Sequence, residues 1–144
     1  MAITIKETSI EKVYFLSTQI PEFIEPYPIE EYQKRLKKVN HLALGAFEGT
    51  NLIGFKVGYE LNKSVFYSWM GAIAPNYRRQ NIAKQLAQVQ EKWAKEQGYK
   101  MIRFKTRNKL RSMIIFAIKN DFNIIDIEPR MDIGENRIVM EKGL

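Results

Sequence analysis

Residues 73–83 read Ile-Ala-Pro-Asn-Tyr-Arg-Arg-Gln-Asn-Ile-Ala, and this stretch constrains the fold more than any other. It joins an apolar strand to an amphipathic helix through a polar turn. Pro75 has no backbone N–H to donate, so the strand ends there. From Ile82 onward, Ile82, Leu86, Val89 and Trp93 recur at helical spacing, with Ala83, Ala87 and Ala94 beside them to let the helix sit close to a sheet. A strand that feeds a helix in this way brings the next strand back parallel to the first. The first turn of such a helix leaves several N–H groups unpaired, and with the helix dipole they favour an anion. Arg78 and Arg79 stand on the lip of that turn. It reads either as a diphosphate cradle or as an ordinary strand–helix turn with surface arginines.

The chain has 144 residues, enough for a single domain over 1–144 with its own core. It contains no Cys, which excludes disulfides, thiolate metal sites and a cysteine nucleophile. A single His argues against a histidine metal site or a Ser-His-Asp triad, and we expect no metal. The first residues show no secretory pattern and no apolar run is long enough to span a membrane, so we expect a cytoplasmic protein. Segment 76–111 carries eleven Lys/Arg against two Glu, or +9, which leaves −2 for the rest of a chain whose net charge is +7. A polyanionic ligand or nucleic acid would account for charge concentrated there.

Read in order, 2–7 alternates as a first strand, and Ser9 caps a helix through about Thr18. Pro21, Pro26 and Pro28 break regular structure around an acidic, aromatic loop. A second helix spans 29–39; its run of Lys34, Arg35, Lys37 and Lys38 reads as a solvated face. Segments 41–47, 52–61 and 65–73 form an antiparallel meander, with a hairpin turn at 48–51. The 82–97 helix ends at Gly98. A fifth strand covers 100–106, and a helix beginning near Asn108 carries Leu110, Met113, Ile114, Ala117 and Ile118 as a core stripe. Segments 122–127 and 137–141 close the chain as a hairpin. His41 reads as a surface or packing histidine. Trp93 reads as core, and Trp69 either as a core anchor or as a pocket wall.

Arg78-x-x-Asn81-x-Ala83, after a strand ending Ala-Ile-Ala-Pro, resembles the acyl-CoA-binding motif of the GNAT superfamily of N-acyltransferases, Arg/Gln-x-x-Gly-x-Gly/Ala. The element order β-α-α-β-β-β-α-β-α-β-β is similar to that superfamily over the whole chain. So is the second half, where Asn108 precedes a helix and Lys119-Asn-Asp-Phe stands where Lys-x-Gly-Phe is usual. The resemblance implies an α/β (α+β) fold with a mixed, mostly antiparallel sheet of about seven strands and four helices. Its two parallel strands should splay toward their C-terminal ends. Asn81 and Asp121 stand where the superfamily has glycine; they are the residue types that best tolerate positive φ.

The resemblance further implies an N-acetyltransferase that passes an acetyl group from acetyl-CoA to a primary amine by direct attack. Backbone groups of Ile73 and Ala74 would pair with the pantetheine arm. N–H groups of Arg79, Gln80, Asn81, Ile82, Ala83 and Lys84 would hold the diphosphate, with Arg78 and Lys84 adding charge. Asn108 would reach the pantetheine amide. A backbone N–H near Ile73 would stabilise the oxyanion. Glu60, Glu22 and Glu25 are the possible bases. The last long helix has no tyrosine, so Tyr67, Tyr59, Ser112 or water would protonate the leaving thiolate, or no general acid is needed. The acceptor is a small-molecule or peptide amine, and the chain is a monomer or homodimer with no membrane partner. Two rival readings remain: an acyl-CoA-binding protein without turnover, and a basic nucleic-acid module. The latter is disfavoured because Trp93 and Phe104 fall on apolar stripes and do not interleave with the charges.

Overall fold

The computed structural model describes residues 2–144. The chain runs β1 Ile3–Glu7, α1 Ile10–Ser17, α2 Ile29–Leu36, β2 His41–Glu48, β3 Asn51–Glu60, β4 Val65–Ile73, α3 Ile82–Glu96, β5 Met101–Arg107, α4 Arg111–Lys119, β6 Asn123–Glu128 and β7 Arg137–Gly143. Single 3-10 turns lie at Pro75–Tyr77 and Ile133–Glu135. One seven-stranded sheet has the order β1-β2-β3-β4-β5-β7-β6, and every neighbouring pair is antiparallel except β4 with β5. This is the expected architecture and element order.

Local chemistry explains most boundaries. The Ser9 hydroxyl accepts from the Lys12 N–H at 3.3 Å and opens α1. Gly49 turns the β2–β3 hairpin at φ 61°, and Gly98 follows α3 at φ 95°, where a side chain would be strained. Asn81 and Asp121 do take positive φ, at 67° and 71°. Arg79 does so too, at 62°, which its residue type does not foretell.

Helix α3 packs one face of the sheet through Ile82, Leu86 and Ala94 against Leu42, Leu44 and Phe66. Helices α1 and α2 cover the other face, but only over β2, β3 and β4, through Val13, Leu16, Tyr32 and Leu36 on Phe55 and Val57. Among the described residues, no helix lies on the opposite face over β5, β7 and β6.

Three expectations change. Helix α2 ends at Leu36, short of Val39. Helix α4 starts at Arg111, because the Asn108 and Lys109 N–H groups donate to the carbonyls of Asn136 and Gly134. Its expected core stripe is only half used. Ala117 is buried with Ile114 beside it, while Leu110, Met113 and Ile118 are exposed. The helix has nine residues and lies over β5 and β7, where one row of its side chains meets Phe104, Ile138 and Met140.

Candidate functional site

The parallel strands are paired only at Val65–Met101, Phe66–Ile102 and Tyr67–Arg103. Beyond Tyr67 they part. The cause lies on the other side of β4. Gly58 of β3 faces Ser68 while Val57 faces Met70, so Trp69 is an extra residue on β4. Such a bulge bends its strand and leaves one residue out of the ladder. The result is a cleft with its vertex at Tyr67 and its mouth at Ile73.

The turn at that mouth has the geometry of an anion seat. Arg78 N–H donates to the Pro75 carbonyl and Gln85 N–H to that of Asn81. Between them, the six N–H groups of Arg79, Gln80, Asn81, Ile82, Ala83 and Lys84 have no acceptor among the described residues. Positive φ at Arg79 and Asn81 folds the backbone as in anion-binding concavities. Asn81 caps α3 without a side-chain hydrogen bond, which leaves its amide facing solvent. The buried Ile82 pins the turn to the core, and Arg79 and Lys84 carry no ion pair among the described residues.

Arg78 is differently employed. Its guanidinium makes a bidentate pair with Glu22, Nη1 to Oε2 at 2.7 Å and Nη2 to Oε1 at 2.9 Å. Its Nε donates to the Ile73 carbonyl at 3.0 Å. Arg78 therefore ties the 21–28 loop to the end of β4, and its charge is already matched. Glu22 is correspondingly no base: the hydrogen bonds from Arg78 hold its carboxyl down at about 2.

Ala74 does not serve as expected. Its N–H donates to Ile53 at 2.8 Å and its carbonyl accepts from Tyr77 at 2.9 Å. Since backbone groups alternate sides along a strand, the Ile73 N–H points away from β3 into the cleft. Asn108 stands just past the end of β5, but its side-chain amide donates to the Ile133 carbonyl at 3.2 Å. That bond orients the side chain from the 133–135 turn.

Glu60 and Ile73, expected to act on one carbonyl, are not brought together. Glu60 pairs with Phe66, seven residues along β4 from Ile73. At roughly 3.3 Å per residue that is about 23 Å, so the two cannot serve one reacting carbonyl. Glu60 instead accepts from the Tyr99 hydroxyl at 2.7 Å, which in turn accepts from Asn40 Nδ2 at 2.9 Å. These bonds fasten β3 to the chain after α3.

Tyr67 lies at the vertex, on the α1–α2 side, with its ring 5.4 Å from that of Tyr59. Burial pushes its hydroxyl up to about 12, against the pull of the Arg35 and Arg137 charges. Trp69 beside it meets Tyr27 at 5.3 Å and Tyr32 at 5.0 Å, so it is a wall of this aromatic cluster. Two functional features are absent from the sequence reading. One is the Trp69 bulge. The other is Arg35, read as part of a solvated run. Its guanidinium lies 4.4 Å over the Trp69 ring, donates to the Tyr59 hydroxyl at 3.0 Å and to Glu31 at 2.9 Å. Glu31 at i−4 was the one local signal for it.

The basic segment is not an open stripe. Arg103 pairs with Glu141, Lys105 with Glu128, and Arg107 and Lys109 with Glu135. A concavity of about 730 Å³ lies beside α1, α2 and β2, where Ser9, Gln33 and His41 help line it; it does not reach the cleft. Among the described residues, no helix is long and apolar enough to cross a membrane.

A parallel strand pair held apart by a bulge, with an anion seat at its mouth, defines an acyl-CoA-dependent transferase fold. The sequence model of the acetyltransferase (GNAT) family matches residues 11–119, so the chain belongs to that family and is an acetyltransferase that acts on amines. Sequence comparison with curated proteins finds no significant match. Similar solved structures include the ribosomal-protein-S18-alanine N-acetyltransferase from Escherichia coli, with TM-score 0.85, 15% identity, and 99% of this chain and 94% of that one covered. A GNAT family acetyltransferase from Elizabethkingia anophelis with acetyl-CoA bound has TM-score 0.75, 21% identity, and coverage of 99% and 98%. The PaiA N-acetyltransferase from Thermoplasma acidophilum in complex with coenzyme A has TM-score 0.76, 24% identity, and full coverage of both chains.

Proposed function

We propose that the cleft between β4 and β5 seats acetyl-CoA with its diphosphate on the Arg79–Lys84 turn and its thioester at the Tyr67 vertex. The observation that carries this reading is the run of six N–H groups without acceptors at the N-terminus of α3. Arg79 and Lys84 supply the charge there, and Arg78 shapes the mouth. The Ile73 N–H and the free side of Asn108 meet the pantetheine arm. The oxyanion donor belongs to the bulge at Trp69–Met70 and not to Ile73, which lies about 10–13 Å further along the strand. One such preplaced donor is worth roughly 3 kcal/mol.

The acceptor amine loses a proton to water, and its lone pair attacks the thioester carbon. The C–N bond forms and the oxyanion collapses. The C–S bond breaks, and the second nitrogen proton ends on the thiolate. The raised Tyr67 hydroxyl stays protonated throughout the working pH range. An alkyl thiol has a pKa of roughly 8.5, so outright transfer from Tyr67 is uphill. Its role is a hydrogen bond to the leaving sulfur and relay of the proton. The Arg35 guanidinium, stacked on Trp69 beside the vertex, disfavours the ammonium form of the bound amine, which lightens the demand for a carboxylate base.

Thermal melting with acetyl-CoA, desulfo-CoA and phosphate-free pantetheine tests this reading. At one hundred times its dissociation constant a ligand adds about 2.7 kcal/mol. Acetyl-CoA and desulfo-CoA are expected to raise Tm alike, and pantetheine much less. Indifference to all three at millimolar concentration would contradict the assignment.

A further inference from the structure

Lys56 lies on the cofactor's own face of the sheet. Its neighbours along β3, Phe55 and Val57, pack with α1 and α2, so the alternation of the strand turns Lys56 to the other face, beneath α3. Its partner on β2, Leu44, is buried with Ile82 and Leu86 of that helix. Its partner on β4 is Gly71. A Cβ on Gly71 would stand 3.6 Å from Lys56 Cγ and 3.7 Å from Nζ. The lysine stem therefore lies across the glycine and carries the ammonium from β3 onto β4.

Gly71 borders the cleft. It is exposed although β4 is the middle strand of the sheet, because β4 and β5 have already parted there. It also follows Met70 directly, about 3 Å along the strand from the bulge that carries the oxyanion donor. The Lys56 amine thus stands at the edge of the cleft, at the height of the reacting carbonyl and on the side away from α1 and α2.

Nothing ties this lysine down as a cation. Among the described residues it makes no ion pair and no side-chain hydrogen bond. Glu91 on α3, whose charge reaches it, is bonded to Lys142 at 2.7 Å. Burial pushes the Lys56 ammonium down from its ordinary value, and Glu91 opposes that only in part. A desolvated, unpaired lysine offers more free amine than a surface lysine does, and a free amine is what a thioester acylates.

Building on the acetyl-CoA reading above, we propose that Lys56 is a self-acetylation site, which takes the acetyl group when the cleft holds acetyl-CoA and no acceptor amine is present. The Nζ lone pair attacks the thioester carbon from the α3 face. The C–N bond forms, the C–S bond breaks, and one nitrogen proton passes through water to the thiolate. The products are Nζ-acetyl-lysine and CoA thiol. The new amide does not hand its acetyl group on, so the modification is a dead end for transfer and leaves a neutral acetamide beside the cofactor's path.

The test incubates the whole protein with acetyl-CoA and no amine, and maps acetylated peptides by mass spectrometry over time. Lys63, exposed between β3 and β4, reports uncatalysed acetylation. The label is expected at Lys56 about tenfold or more faster than at Lys63, as for a reagent held beside its target. Excess desulfo-CoA, which fills the cleft without a thioester, should suppress the label at Lys56 and leave that at Lys63. An unlabelled Lys56, labelling no faster than at Lys63, or labelling indifferent to desulfo-CoA overturns the proposal. With the acetyl-CoA melting shift intact, any of these leaves the acetyl-CoA reading standing. Loss of the shift as well overturns both readings.

Discussion

Arg78 and Glu22 form a two-point ion pair, at 2.7 and 2.9 Å, across the mouth of the cleft. The arginine that heads the acyl-CoA motif thus meets a carboxylate from the 21–28 loop and the carbonyl of Ile73. Glu22→Gln releases this charge toward the neighbouring anion seat. CoA affinity is expected to rise a few-fold by calorimetry, and a fall would mean that the pair builds the seat instead of competing with it. The pH dependence has a definite sign. The folded-state carboxyl is held at about 2, below its ordinary value of 4.5, so the pair's contribution is complete above about pH 4.5 and is lost as pH falls through 2. Both side chains are more than one-third exposed, so that contribution is at most about 1 kcal/mol.

Gly58 sits against the bulge. A Cβ there would stand 2.4 Å from the Phe66 ring and 2.7 Å from the Tyr67 carbonyl oxygen. Gly58→Val forces β3 and β4 apart where the cleft begins, and is expected to cost about 2–3 kcal/mol. Chemical denaturation measures it. Wild-type stability would show that the bulge accommodates a side chain.

Tyr67→Phe removes the hydroxyl at the vertex and leaves the ring on Tyr59. It is expected to lower kcat by about tenfold to a hundredfold with little change in the KM for acetyl-CoA. An unchanged kcat would assign leaving-group protonation to water.

Legibility followed the range of the forces involved. Ser9 acts through its own hydroxyl and Gly49, Gly98, Asn81 and Asp121 through their own backbone, so their residue types announce the caps and turns. The parallel pair followed from a helix lying between two apolar runs. The Trp69 bulge has no local mark. It arises because β3 and β4 offer unequal residue counts between two fixed pairs, which is a property of register. Arg35 was hidden in a run of lysines, and only the fold brings Trp69 beneath it. Glu60 is paired with Phe66 and bonded to the Tyr99 hydroxyl, far from Ile73, a placement set by strand register that no local pattern announces.

Asn81 tests the central claim most directly. At φ 67° it occupies the backbone shape that lets six N–H groups face one anion. A β-branched residue strongly resists that shape, whereas glycine adopts it freely. Calorimetric titration of CoA into the wild type, Asn81→Gly and Asn81→Val separates the outcomes. The account predicts binding preserved or tightened by glycine and nearly abolished by valine, with both variants folded. Tight binding by the valine variant would mean that this turn does not cradle the diphosphate.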